Sequence, residues 1–180
     1  MTKSTQLLQI AELGIQLIRQ KAKIVEKIKN EDTQKLIDDM IATVVEVNGV
    51  GIAAPQVYQP LQLFILASYP SQRYPKAPKM KPTAVINPVI LSTSETKNSN
   101  WEGCLSIPGI RSLVPRYDSI TVSYYTRDGT KREKTFTDFI ARIFQHEYDH
   151  LQGEVFLDRL ETMKDIITEK EYQRMFRKKR

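Results

Sequence analysis

The chain has a single cysteine, Cys104, and only two histidines, His146 and His150, among its 180 residues. One cysteine excludes an internal disulfide and suits a reducing compartment. Two histidines exclude an all-histidine catalytic zinc centre, which needs three protein ligands. No apolar run approaches the length that spans a membrane. The opening Met1-Thr2-Lys3-Ser4-Thr5 leads into a polar-punctuated segment instead of the apolar core of a signal peptide. The phosphate-cradling pattern G-x-x-x-x-G-K-S/T is missing, as are internal repeats and low-complexity tracts. These absences exclude membrane-embedded and disulfide-stapled classes and make the cytoplasm the expected location.

What is present is ordinary in bulk. Hydrophobic content of 41% and charged content of 27% fit one globular domain with a proper core, expected over 1–180. A net charge of +6 permits an acidic partner, but a basic balance alone implies no sequence-specific nucleic-acid binding.

Along the chain, apolar positions from Leu7 to Ile28 recur with loose helical spacing, interrupted by Gly14. Asn30-Glu31-Asp32-Thr33 caps a clear amphipathic helix through Leu36, Ile37, Met40, Ile41, Val44 and Val45, stopped by Asn48-Gly49. Leu61 to Ala67 predicts a buried strand. Residues 69–82, with Pro70, Pro75, Pro78 and Pro82, predict an exposed extended loop. Thr83 to Leu91 is a strand and Ser92 to Asn100 a polar turn. The strands Ser119–Thr126 and Thr130–Phe136 flank the hairpin signal Asp128-Gly129. A helix starts near Thr137-Asp138 and ends at Gly153, and a final helix is expected over 161–177 with a basic end, Arg174 to Arg180. The pattern predicts an α+β fold: antiparallel sheets packed around a central metal-binding helix, with N- and C-terminal helices.

That central helix carries His146-Glu147-Tyr148-Asp149-His150. Residues four apart on a helix lie about 40° apart around the axis and one turn apart along it, so both imidazoles can grip one metal ion. Glu147, about 80° from their midline, can hold a water without being a ligand. Its helical neighbours Ile140, Phe144 and Leu151 are apolar, which raises a carboxyl's pKa. A third ligand is needed. Glu154, Glu161 and Glu169 follow downstream, and Cys104 precedes in a Gly-flanked turn. A thiolate with two imidazoles is a sound set that leaves one position open.

Three stretches, Gly49-Val50-Gly51-Ile52-Ala53-Ala54-Pro55-Gln56, Glu102-Gly103-Cys104-Leu105-Ser106 and His146-Glu147-Tyr148-Asp149-His150, closely resemble the signature motifs of the peptide deformylases, in order and at typical separations. Arg111, Leu113-Val114-Pro115-Arg116 and Leu151-Gln152-Gly153 match as well. Ile52 stands where the family usually has Leu, a swap that keeps apolar volume. The resemblance, to the bacterial form with a helical C-terminus, covers about residues 5 to 160. It implies a metallohydrolase that removes the N-formyl group of the initiator methionine of nascent polypeptides and releases formate.

By that resemblance, Cys104, His146 and His150 hold one ion per chain, Fe2+ natively, with Zn2+ or Ni2+ as substitutes. Glu147 is then the general base toward a water whose pKa the metal lowers. The Gln56 side-chain amide and the Leu105 backbone N–H stabilise the oxyanion. Gly49, Val50 and Gly51 pair with the substrate as an added strand, and Arg111 contacts the peptide beyond its first residue. Val50, Ile143 and the Phe144 side wall the methionine slot. Asp149 and Arg116 pair behind the histidines, and the basic end, 168–180, serves docking near the ribosome's exit tunnel. Two alternatives remain: a zinc endopeptidase with a downstream acid as third ligand, and a basic ribosome- or RNA-binding protein with a vestigial metal site.

Overall fold

The structure, a computed structural model, describes residues 5–70 and 76–176. Helix α1, Glu31–Glu46, forms where the sequence predicts it. The Asn30 side chain accepts the Thr33 N–H at 2.8 Å, and Glu31 and Asp32 sit at the positive end of the helix dipole. Its apolar stripe buries Ile37, Met40 and Val44.

Strands β1 (Gly51–Ala53), β2 (Leu63–Ser68), β3 (Met80–Thr93), β6 (Ser119–Tyr125) and β7 (Lys131–Thr137) make one antiparallel sheet in the order β1-β2-β3-β6-β7. Its buried centre explains the unbroken apolar run of β2. Side chains alternate across a strand, so Leu63 and Ile65 pack with Ile37, Met40 and Val44 of α1. Phe64 and Leu66 point the other way, toward Ile143, Phe144 and Leu151. Those three residues belong to helix α2, Asp138–Leu151.

On the far side of α2 lies a second antiparallel sheet, β4 (Lys97–Cys104), β5 (Ile107–Tyr117) and β8 (Ile167–Thr168). Residues 97–100, expected in a turn, are strand here and pair with Tyr117 through Val114 of β5. Their polar character reflects solvent exposure, which hides a strand from a hydrophobic pattern.

The first and last predicted helices are corrected. Residues 7–28 are no helix; only a short 3-10 turn, Gln16–Arg19, forms there. Gly14 has φ +116°, and the segment's hydrogen bonds go to distant partners: Ala11 N–H to the Gln56 carbonyl, Leu13 N–H to Ser106, Ala22 N–H to Leu151. Its apolar side chains enter three different core clusters, which no single helix face could reach. At the other end, Ile167 and Thr168 leave the helical path to pair with Arg111 and Ile110 of β5. Helix α3 therefore spans only Glu169–Phe176. Residues 71–75 of the proline-rich loop and 177–180 of the basic tail lie outside the described residues.

Gly153 ends α2 with φ +78°, and a Cβ there would sit 2.7 Å from the Arg19 carbonyl oxygen. Both the left-handed backbone and the clash with fixed main chain oppose a side chain. Gly153→Ala is expected to lower stability by roughly 2–4 kcal/mol, read as a reduced urea midpoint at unchanged slope.

Candidate metal centre

Four segments meet in one cleft of about 250 Å³: Gly49-Val50-Gly51 with Gln56, the β4–β5 hairpin, the inner face of α2, and Glu169 at the start of α3. Cys104 Sγ and one ring nitrogen each of His146 and His150 lie within 4.8 Å of one another. His150 Nε2 is 3.3 Å from the sulfur. Of the sequence's alternative third ligands, Glu154 pairs with Arg159, Glu169 pairs with Arg111, and Glu161 is exposed outside the Cys104–His146–His150 group.

The surroundings of these atoms fit a cation. His146 turns its Nδ1 to Glu102 Oε2 at 2.8 Å, an arrangement that fixes the ring and leaves Nε2 toward the sulfur. Burial disfavours charge on His146, yet the Cys104 sulfur and the Glu102 carboxylate outweigh it and raise its pKa well above the ordinary value. His150 is pushed the opposite way, by burial first and then by the charges of His146 and Arg116. That ring stays neutral with a lone pair to offer. A soft sulfur with two imidazole nitrogens suits Zn2+ or Fe2+ better than a hard cation.

Glu102 was part of a motif in the sequence, with no role of its own, and the structure makes it the hub behind the site. It is buried and receives Arg116 through two contacts of 3.0 Å, Arg142 at 2.8 Å and His146. Burial raises its pKa, but the Arg116 guanidinium and the other donors prevail and hold it well below the usual carboxylate range. Asp149 does pair with Arg116, at 2.6 Å, and takes Arg159 on its other flank. One charged chain therefore runs from Arg159 to His146. Glu102→Gln removes the charge at its centre. Metal affinity should fall about 10–100-fold when measured by competition with a chelator; an unchanged affinity would refute a positioning role.

Glu147 is almost wholly buried, and its Oε2 has no hydrogen-bond partner among the described residues. Burial is the main reason its pKa rises to about 7, the range suited to a general base at neutral pH. It packs against the backbone of Gly51, where an added Cβ would stand 2.7 Å from Glu147 Cδ and 2.8 Å from Cγ, with Oε1 closer still. Gly51 also pairs with Leu66 at one side of β1, the edge strand of its sheet.

Gln56 is buried on the turn after β1. Its Oε1 accepts the Ala53 N–H at 2.8 Å, which aims Nε2 at Ser106 Oγ, 3.1 Å away, and Cys104 Sγ, 3.5 Å away. Leu105, Gly49, Val50 and Ile143 line the same cleft. Phe144 does not. It turns to the core, edge-on to Phe64 at 5.0 Å, because the helical step from Ile143 points it at β2. The cleft's further apolar lining comes from Trp101, Ile110 and Phe139. Arg111 is fully buried, held by Glu169 Oε2 at 2.6 Å and by the Tyr172 ring at 4.6 Å.

Two imidazoles on one helix, a sulfur donor and a buried carboxyl beside them define a metal-dependent hydrolase by donor set and geometry. The comparisons with known proteins narrow the class. The sequence model described as polypeptide deformylase matches residues 7–165, and the chain belongs to that family. It is 56% identical over 173 residues to peptide deformylase 2 of a Nostoc species, covering 96% of this chain and 97% of that one. Peptide deformylase 2 of Shewanella oneidensis is 48% identical over 84% of this chain and 83% of its own. Among solved structures, the Met-Ala-Ser-bound class I type b peptide deformylase of Acinetobacter baumannii superposes with a TM-score of 0.85 at 41% identity, over 87% of this chain and all of that one. The endopeptidase and RNA-binding alternatives are not favoured.

Proposed function

We propose that this protein removes the N-formyl group from formyl-methionine at the start of nascent polypeptides and releases formate. Cys104, His146 and His150 would hold the metal, Fe2+ natively, with Zn2+ or Ni2+ as substitutes. When bound, the ion supplies Lewis acidity and lowers the pKa of a water molecule. Glu147 takes the proton of the attacking water on its unpartnered carboxyl oxygen and returns it to the leaving amine. The Gln56 Nε2 group and the Leu105 backbone N–H donate to the oxyanion that develops on the formyl oxygen. Gly49 and Val50, with Gly51 at the start of the edge strand β1, line the cleft where an extended peptide would add as a strand. Val50 and Ile143, with Trp101 and Phe139, wall the methionine slot.

The observation that carries this reading is the meeting of Glu147, Gln56, Cys104 and His146 in one cleft, with His150 against the Cys104 sulfur. The relatives named above support it. No helix among the described residues is long and apolar enough to cross a membrane, and a cytoplasmic location follows from the substrate. Docking near the ribosomal exit tunnel through the basic C-terminal end rests on Lys170 and Arg174 of α3 with the four basic residues Arg177, Lys178, Lys179 and Arg180 of the sequence.

An anaerobic preparation assayed for metal content and for formate from formyl-Met-Ala-Ser tests the reading. Formate release proportional to bound metal is expected. A fully loaded protein that releases none overturns it.

A further inference from the structure

Among the described residues, the C-terminal segment reaches the cleft through Glu169. Glu169 opens α3, lines the cleft beside Ile110 and Arg111, and is tied there by Arg111 Nε at 2.6 Å and by Gln173 Nε2 at 2.8 Å. The two sides of the ion pair are unequally exposed: the Glu169 side chain is 31% accessible and Arg111 only 2%. Arg111 is spent inside the wall, with its guanidinium against Gly103 and its face on Tyr172, which in turn packs edge-on to Trp101 at 5.8 Å. The other charged groups lining the cleft, Glu102, Arg142, His146 and Glu147, are buried or nearly so around the reacting end. What this wall shows to a bound chain is therefore the partly exposed Glu169 carboxylate, beside Ile110.

We propose that Glu169 is a specificity-determining residue. Its carboxylate reads the side chains that follow formyl-methionine and favours substrates with a basic residue there over an acidic one. The inference rests on the deformylase reading given above. A peptide added along β1 must leave the reacting end, and Ile110, Arg111 and Glu169 form the wall available to its next residues. A partly exposed charge pair is worth little individually, so the discrimination is modest. It is also screened by salt.

The test compares kcat/KM for formyl-Met-Ala-Lys and formyl-Met-Ala-Glu on the metal-loaded full chain. The lysine peptide should be favoured by roughly 3–5-fold at low salt, with the ratio shrinking toward one near ~0.5 M salt. Glu169→Gln, which still accepts from Arg111, should bring the ratio close to one. Glu169→Asp, which keeps the charge, should retain a preference for lysine. Because each ratio is taken within one preparation, a common change in turnover cancels. Equal rates for the two peptides in the unaltered protein, or a ratio that survives in Glu169→Gln, overturns the proposal. Formate from neither peptide overturns the deformylase reading itself, and this inference with it.

Discussion

Replacing Glu147 by Gln is expected to cut turnover roughly 10²–10⁴-fold while leaving metal content and the melting temperature close to those of the unaltered protein. Gln has the shape of Glu, so it opens no cavity in a site where the side chain is almost wholly buried. Nor does it remove a partner from the charged chain behind the histidines, which runs through Glu102 and Arg116 and does not include Glu147. What it removes is the group proposed as the proton acceptor. Burial has already brought that carboxyl's pKa to about 7, and its Oε2 is buried without a hydrogen-bond partner among the described residues. Formate release, metal analysis and a thermal melt on the same sample separate the possibilities. An active variant sinks the assignment of the base, and a variant that has lost its metal moves Glu147 into the donor set.

The parts of the molecule legible in the sequence are those whose signal is local. The His146–Glu147–His150 helix follows from 3.6-residue periodicity, α1 from periodicity and its Asn30 cap, and β6–β7 from alternation around Asp128-Gly129. The failures share a cause. In residues 7–28 the apolar positions serve three separate clusters, so their loose periodicity describes a strap and not a helix face. In β4 the residues 97–100 are exposed on both counts that a pattern could use, and only pairing with β5 makes them a strand.

The site divides in the same way. His146, Glu147 and His150 share one turn of helix, so their grouping is fixed by spacing alone, and Cys104 joined them through motif resemblance. Glu102 and Glu169 could not be assigned so. A carboxylate becomes a hub or a cleft wall only when tertiary register brings it cations. For Glu102 that register is the hairpin facing α2, which delivers Arg116 from β5 and Arg142 from the helix. For Glu169 it is the two-residue pairing of β8 with β5, which sets the start of α3 against Arg111. Phe144 was misplaced for a related reason: adjacent helical positions diverge by about 100°, and only the packing partner decides which of Ile143 and Phe144 meets the cleft.

Gly51→Ala should abolish most activity without unfolding the protein. The sequence places Gly51 in a run of small residues and, by resemblance, beside the substrate strand, with no link to Glu147. The structure gives it a specific reason: the space of its missing Cβ is filled by the Glu147 side chain, with Cδ 2.7 Å and Cγ 2.8 Å from that position. Distances under 3 Å are not tolerated by real carbon atoms, so something must move. The β1 backbone is held on β2 by the Gly51, Ile52 and Ala53 pairings, whereas Glu147 has an unpaired carboxyl oxygen and a flexible stem. The side chain yields first. A shift of about 1 Å in a reacting group costs on the order of 10²-fold in rate, and that loss should appear in kcat at near-normal metal content. Stability should drop by only ~1–3 kcal/mol, the range for overpacking by one carbon. Gly51 has no positive φ to add strain. A variant with full turnover would show that Glu147 need not occupy the position seen here. A variant that cannot fold would show that the contact with Gly51 bears on the core as well as on the base.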